Sequence, residues 1–409
     1  MIGRAYEPRR DREAVHRIWR EVGWIDTDEH AKALDVFLEQ GRNLVADQAG
    51  APECMVNTAP GSLRHLEEEV RLACVTGVTT SRVARKRGLA TRLLAEALAQ
   101  DTLAGAEAAM LGVFEQGFYN KVGFGNGPYE RWCTFDPAQL EVDVTPRPPR
   151  RLGPDDWALI HANRLARWRP HGACTLLSPV ATRVEMMWSE NGFGLGYVDD
   201  AGALTHHFWA QTKAVEGGPY RILWMAYQTR DQFLELLGLL RGLGDQVRSV
   251  RLHEPGDIQL QDLLRQPFKM RELTRRSPHE QRMSSSAYWQ LRILDLAGCL
   301  ARTHLPGAPL SFNLDLSDPI EAFLPEDAPW RGVGGAYVVT LGPESSVRSG
   351  SDPSLPTLST SIGAFTRLWL GVRSPSGLSW TDRLEGPDEL IRSLDRLLRL
   401  PAPASDWDF

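Results

Sequence analysis

Val75-Thr-Gly-Val-Thr-Thr-Ser-Arg-Val-Ala-Arg-Lys-Arg-Gly-Leu-Ala-Thr-Arg-Leu-Leu94 decides how the chain is read. It reads as a buried strand, a tight basic turn and a helix. Leu89, Leu93, Leu94, Ala97 and Leu98 share one face at helical spacing. A helix start leaves backbone N–H groups unpaired and carries the positive end of the helix dipole. Arg85, Lys86, Arg87 and Gly88 stand directly before this start, and Ala90 follows it. Gly88 and Ala90 keep bulk away from the backbone, and the cations add side-chain charge. The turn therefore reads as a cradle for a diphosphate. It is not a Walker A loop, because no Gly-Lys-Ser/Thr follows, and it is not Gly-x-Gly-x-x-Gly.

Helical spacing runs from Asp11 to Val22 and from about His30 to Gln40, with Trp24 to His30 a polar loop between. Strands are expected at Asn43–Asp47, Cys54–Val56, Arg71–Val78, Ala108–Phe114 and Arg131–Phe135. This succession predicts an α/β layer behind two leading helices. At 409 residues the chain exceeds one ordinary core, so two or three domains are expected. Apolar content of 42% and charged content of 24% are those of a soluble globular protein. A net charge of −6 gives no support to nucleic-acid binding. Cys54, Cys74, Cys133, Cys174 and Cys299 are scattered without a Cys-x-x-Cys, so neither a metal site nor a disulfide framework is expected. The start lacks the apolar core of a signal peptide and no run approaches the ~20 apolar residues of a membrane span. The expectation is a cytoplasmic protein with no membrane partner.

Pro146–Pro154 is a proline-rich basic linker. After it the same order of elements returns: a helix at Asp155–Arg164, strands near Gly194–Val198, Ala203–Ala210 and Arg221–Tyr227, a helix at Asp231–Leu243 and a strand at Val247–Leu252. Here the helix opens with Arg230-Asp-Gln, and Asp231 would repel a diphosphate. His206 and His207 are adjacent on a strand, so they point to opposite faces and do not form a ligand pair. A third region begins near Ser285, with a helix expected over Tyr288–Ala301. The chain closes Asp406-Trp-Asp-Phe409, an aromatic tail that reads as built to dock.

Arg-x-x-Gly-x-Ala after a strand resembles motif A of the GCN5-related N-acetyltransferases (GNAT). Phe118-Tyr119-x-x-Val122-Gly123-Phe124 matches a second element of that family. With Gly77-Val-Thr-Thr-Ser81 upstream, the chain is similar to the enhanced-intracellular-survival (Eis) group. The resemblance implies an α/β (α+β) fold of tandem GNAT-type domains, residues 1–145 and 146–284, followed by a sterol-carrier-protein-like domain over 285–409. It implies acetyl-CoA as co-substrate, held by Val78, Thr79, Thr80, Arg85, Lys86, Arg87, Gly88, Leu89, Ala90, Thr91, Phe114 and Glu115. Tyr119 would act as general acid and the Phe409 carboxylate as general base. A neutral phenol suits proton donation to a departing thiolate. A carboxylate buried beside aromatic rings gains basicity. The acceptor would be a polyamine or aminoglycoside met by Trp24, Asp26, Asp28 and Asp408, in a homohexamer. Two alternatives stand beside this: transfer to protein or peptide amines, and a lipid-binding protein working through its third region. Where many members of the family carry proline, this chain has Arg82-Val83-Ala84.

Overall fold

The computed structural model describes residues 2–409. They form two compact units. One contains the chain up to Pro128, His171–Leu177 and Ala287–Phe409. The other contains Tyr129–Pro170 and Ser178–Ser286.

The first unit is built on an eight-stranded sheet. Numbered along the chain, its strands are β1 (Gly3–Ala5), β2 (Arg42–Gln48), β3 (Ala51–His65), β4 (Glu68–Thr80), β5 (Ala108–Gly112), β6 (Gly125–Asn126), β9 (Cys174–Leu176) and β15 (Trp289–Ile293). Their order is β1-β2-β3-β4-β5-β15-β6, with β9 added to β3. Helices α1 (Pro8–Glu21) and α3 (Leu89–Leu103) pack on it, and α2 (Asp28–Phe37) packs on α1. The strands β3 and β4 run far beyond the short segments that alternation alone suggests, forming one long hairpin. In β4, Thr76 has no partner: Asn57 pairs Gly77 and Thr58 pairs Val75. This is a β-bulge, which bends a strand and ends regular pairing. Accordingly β4 pairs with β5 only from Leu72↔Ala108 to Val75↔Leu111.

The structure corrects two expectations at this sheet. Arg131–Phe135 does form a strand, β7 (Glu130–Phe135), but it lies in the sheet of the second unit. Its place beside β5 is taken by β15, within the stretch expected to be helical; only α8 (Leu296–Ala301) is a helix there. The reason is burial on both faces. Trp289-Gln-Leu-Arg-Ile293 is buried at every position, and a short continuous buried run carries no period that separates strand from helix. The α3 helix is likewise buried almost all round, including Glu96, which accepts the N–H groups of Ile2 and Gly3.

The rest of the third region forms a five-stranded sheet, β18-β17-β16-β19-β20. Its strands are β16 (Leu310–Ser317), β17 (Gly335–Leu341), β18 (Ser346–Ser349), β19 (Thr357–Ser361) and β20 (Leu384–Glu385), with α9 (Ile362–Trp369), α10 (Pro375–Thr381) and α11 (Asp388–Leu397). The second unit has a seven-stranded sheet, β14-β7-β13-β12-β11-β10-β8. Besides β7 these are β8 (Arg150–Leu152), β10 (Phe193–Val198), β11 (Leu204–Gln211), β12 (Tyr220–Ala226), β13 (Val250–His253) and β14 (Arg282–Ser286). Helices α4 (Trp157–Ala166), α5 (Pro179–Met187), α6 (Arg230–Gly242) and α7 (Pro267–Thr274) accompany it. Phe135, Phe208, Ile222, Leu236, Leu240 and Val250 form its core under α6.

Candidate functional site

The basic turn ends in Gly88, whose φ of 75° is left-handed, a conformation that favours glycine. No side chain caps α3 and its first turn holds no acid. Arg92 N–H bonds the Gly88 carbonyl at 3.2 Å, so the N–H groups before it point out of the helix start. A Cβ added to Gly88 would meet nothing within 4 Å. Arg85, Lys86 and Arg87 are exposed and make no ion pair among the described residues. Leu89 and Ala90 are half-buried and Thr91 is buried. The turn closes through Ala84 N–H to Ser81 C=O, 3.2 Å, so it forms without the proline. The second unit offers the contrast. There Thr229 caps α6 by accepting the Gln232 N–H, and Asp231 sits in the first turn.

Upstream, the free edge of β4 follows from alternation. Ser81 N–H bonds Glu53 C=O at 2.9 Å, so the Ser81 backbone faces β3. Successive residues of a strand turn their backbone groups to opposite sides. Thr79 and Gly77 therefore also face β3, while Val78 and Thr80 face the side where β5 pairing has ended. Of Val78, Thr79 and Thr80, it is the first and third whose N–H groups this edge presents. Past β5, Phe114 and Glu115 are exposed, Phe114 at 80%.

Tyr119 opens a 3-10 turn, Tyr119–Val122, that ends at Gly123. Its ring is buried at 6% exposure, edge-on to Phe118 and near Phe124. The hydroxyl has no hydrogen-bond partner among the described residues, and it is not one of the sealed, orphaned buried atoms. It therefore keeps access to solvent space. Burial, with smaller contributions from Tyr288 and Glu115, pushes its pKa up to about 12.

The turn is held from β15. Arg292 is fully buried; it donates to the Val122 carbonyl and to Asp318 Oδ2 at 2.7 Å. Asp318 also accepts the Ile320 and Val333 N–H groups. Gln290 reaches Asn126 at 2.7 Å and Asn120 at 3.4 Å. Sequence reading missed these residues, which lie about 170 positions from the turn they hold. The only signal was a charged and an amide side chain inside an otherwise apolar run.

The tail docks on the first unit. Ala404 N–H bonds His171 C=O at 2.8 Å, and Cys174 Sγ–H donates to the Trp407 carbonyl at 3.5 Å. Trp407 is 1% exposed. Gly172, at φ +83°, faces Pro403 and Ala404, where a Cβ would lie 2.6 Å from Pro403. The Phe409 ring sits 4.9 Å from Trp289. Trp289 pairs with Gly112 at the end of β5, and its neighbour Tyr288 lies close enough to Tyr119 to raise its pKa. The structure thus brings the tail and the Tyr119 turn to the same end of β5 and β15. Asp408 is exposed.

Trp24, Asp26 and Asp28 have local partners. Trp24 packs edge-on to Trp19, Asp26 pairs with His30 at 2.7 Å, and Asp28 opens α2 near Arg20. None of the three makes a hydrogen bond, ion pair or ring contact with Tyr119 or the tail. His206 and His207 do face opposite ways: His206 meets Glu235, and His207 meets Asn163 and Trp224. No helix among the described residues is long and apolar enough to cross a membrane.

An uncapped helix start thus follows a bulged, half-paired strand. Residues 8–127 match the acetyltransferase (GNAT) domain family, and residues 327–405 match the sterol carrier protein domain family. No curated protein matches the chain. Among solved structures, a protein of unknown function from Enterococcus faecalis V583, described as a probable N-acyltransferase, is similar over 100% of this chain and 99% of its own, at 18% identity and a TM-score of 0.80. Eis1 from Mycobacterium abscessus is similar over 100% of both chains, at 18% identity and a TM-score of 0.76. A GCN5-related N-acetyltransferase from Kribbella flavida covers 100% of this chain and 98% of its own, at 17% identity and a TM-score of 0.73. At these identities the likeness is one of fold.

Proposed function

We propose that the chain transfers an acetyl group from acetyl-CoA to a primary amine by direct attack in a ternary complex. The observation that carries this is the uncapped start of α3, with three unpaired cations, beside the unpartnered edge of β4. These groups fit a diphosphate joined to an extended amide-bearing arm. Arg85, Lys86 and Arg87, with the N–H groups from Gly88 to Thr91, hold the diphosphate. Val78 and Thr80 bond the arm, and the Val78 N–H meets the oxygen that gains charge during transfer. Phe114 and Glu115 border the same ligand. The thioester supplies the activated acetyl carbon. The amine nitrogen attacks that carbon, the C–S bond breaks, the Phe409 carboxylate takes the proton from nitrogen, and Tyr119 gives its proton to the departing sulfur.

By resemblance, the acceptor is a polyamine or aminoglycoside, the assembly a hexamer and the setting the cytoplasm. Trp24, Asp26, Asp28 and Asp408 would meet the acceptor's ammonium groups. An assay of CoA-thiol release against polyamines, aminoglycosides and peptides tests the reading, with light scattering for the assembly. Turnover with small amines supports it, and removal of Phe409 should then slow it sharply. Turnover with peptides alone redirects the acceptor class. No turnover, with tight binding of a fatty-acid probe, would replace the reading with lipid binding.

A further inference from the structure

The sheet of the second unit carries a row of arginines. Arg221 on β12 is registered against Arg251 on β13, Arg251 against Thr134 on β7, and Thr134 against Arg282 on β14. Residues paired across strands point to the same face, so the guanidinium groups of β12, β13 and β14 leave that face in one row, with Thr134 of β7 between the last two. The alternate residues, Ile222, Val250, Leu252, Cys133 and Phe135, point into the core under α6. The arginines therefore occupy the face turned away from it. One step along lie His253, Trp132 and Ser284.

Two of the three arginines are held in place. The guanidinium of Arg221 lies 4.9 Å and that of Arg251 4.8 Å from the centre of the Trp132 ring. Stacking on an indole fixes the plane of the fork while leaving its N–H edge to bond an oxyanion. Arg251 and Arg282 make no ion pair with any described carboxylate. The nearest acids on these strands are otherwise placed: Asp136 accepts the Ala138 N–H, and Glu130 sits two residues past Trp132, registered against Ser286. Burial and the neighbouring charges of Arg221 and Arg282 lower the Arg251 pKa. Arg251 and Arg282, like charges with no ion pair to a described carboxylate, repel one another, and a bound anion relieves that.

We infer that this face is an oxyanion site: it takes the phosphate, sulfate or carboxylate group of a small molecule, with Arg251 and Arg282 as its ligands and Trp132 holding Arg251 in register. The inference goes beyond acetyl transfer and does not rest on it. The anion is a free ligand of the second unit.

The test is calorimetric titration of inorganic pyrophosphate into protein already saturated with CoA. Binding is expected, with affinity falling about tenfold in Arg251→Gln and again in Arg282→Gln, the size of a lost charge-assisted hydrogen bond. CoA affinity should stay unchanged in both. Arg282 is exposed on an edge strand, so its variant keeps the fold and decides the matter if Arg251→Gln does not. Arg87→Gln, kept saturated with CoA, separates this site from the α3 turn: its pyrophosphate isotherm should match the parent protein. No pyrophosphate heat at millimolar concentration, or equal affinity in parent and both variants, overturns the inference.

Discussion

Tyr119 combines two properties that rarely meet in a packing residue: a buried ring and a hydroxyl with no hydrogen-bond partner among the described residues. In the core a phenol normally finds an acceptor. Here the oxygen keeps solvent access, and burial holds its pKa near 12, so the group stays protonated through neutral pH. Tyr119→Phe is expected to lower kcat by about 10²–10⁴-fold, the usual worth of a general acid, with CoA affinity unchanged. The sign of the pH effect follows. The acid form is the working form, so Tyr119 causes no loss of kcat until pH approaches 12. An alkaline fall centred near the ordinary tyrosine value of about 10, absent in Tyr119→Phe, would contradict the assigned environment. This residue was legible in the sequence because a Gly-Phe-Gly turn follows it closely. Val78 and Thr80 were legible only as part of a triplet. Which of the three present their N–H groups to the gap depends on the phase set by Ser81, and that phase is a matter of register.

At the scale of elements, the start of α3 and the insertion of β15 matter most. Gly88 takes a left-handed φ, which costs an L-residue about 1–2 kcal/mol. Gly88→Ala should lower stability by that amount in thermal unfolding. Its effect on CoA affinity should be larger, because the new methyl enters the open space before the helix. Equal CoA affinity in this variant would remove the cradle from the account. Arg292 ties β15 to the Tyr119 turn through Val122 and to Asp318. Arg292→Met strands a buried carboxylate, so a loss of about 3–5 kcal/mol is expected in denaturant unfolding. A loss below 1 kcal/mol would show that the pair does not hold the turn. The α3 start could be read locally, from glycine, charge and helical spacing. The strand β15 could not, because its neighbours β5 and β6 lie far away in sequence and its burial on both faces erases the alternation that marks a strand. The same exchange moved β7 into the other sheet, although its strand character was clear from Arg131-Trp-Cys-Thr-Phe135.

Taken whole, each unit has a core that holds a buried, neutral histidine. His65 has its pKa lowered to about 4 by burial and by His171, and His207 to about 3 by burial, Arg164 and His206. For both, the folded value lies below the unfolded value of about 6.5. Protonation therefore favours the unfolded chain. Stability should be full above pH 6.5, then fall as pH drops through the window from about 6.5 to 3. Thermal unfolding midpoints across that range check this; a flat profile would contradict the burial of both rings. The return of strands and a helix after the proline-rich linker was legible from the sequence, whereas the structure groups the chain into two compact units. The recruitment of His171–Leu177 and Ala287–Ile293 into the first unit was not, since it depends on pairing across long separations.

The central claim is that the N–H groups opening α3, with Arg85, Lys86 and Arg87, grip the diphosphate of coenzyme A. Titration calorimetry of CoA, followed by pantetheine, which lacks the diphosphate, tests it most directly. The account predicts saturable heat with CoA and at least about a hundredfold weaker binding of pantetheine, the worth of two charge-assisted hydrogen bonds. Absence of CoA heat at millimolar concentration, or equal binding of the two ligands, would contradict it.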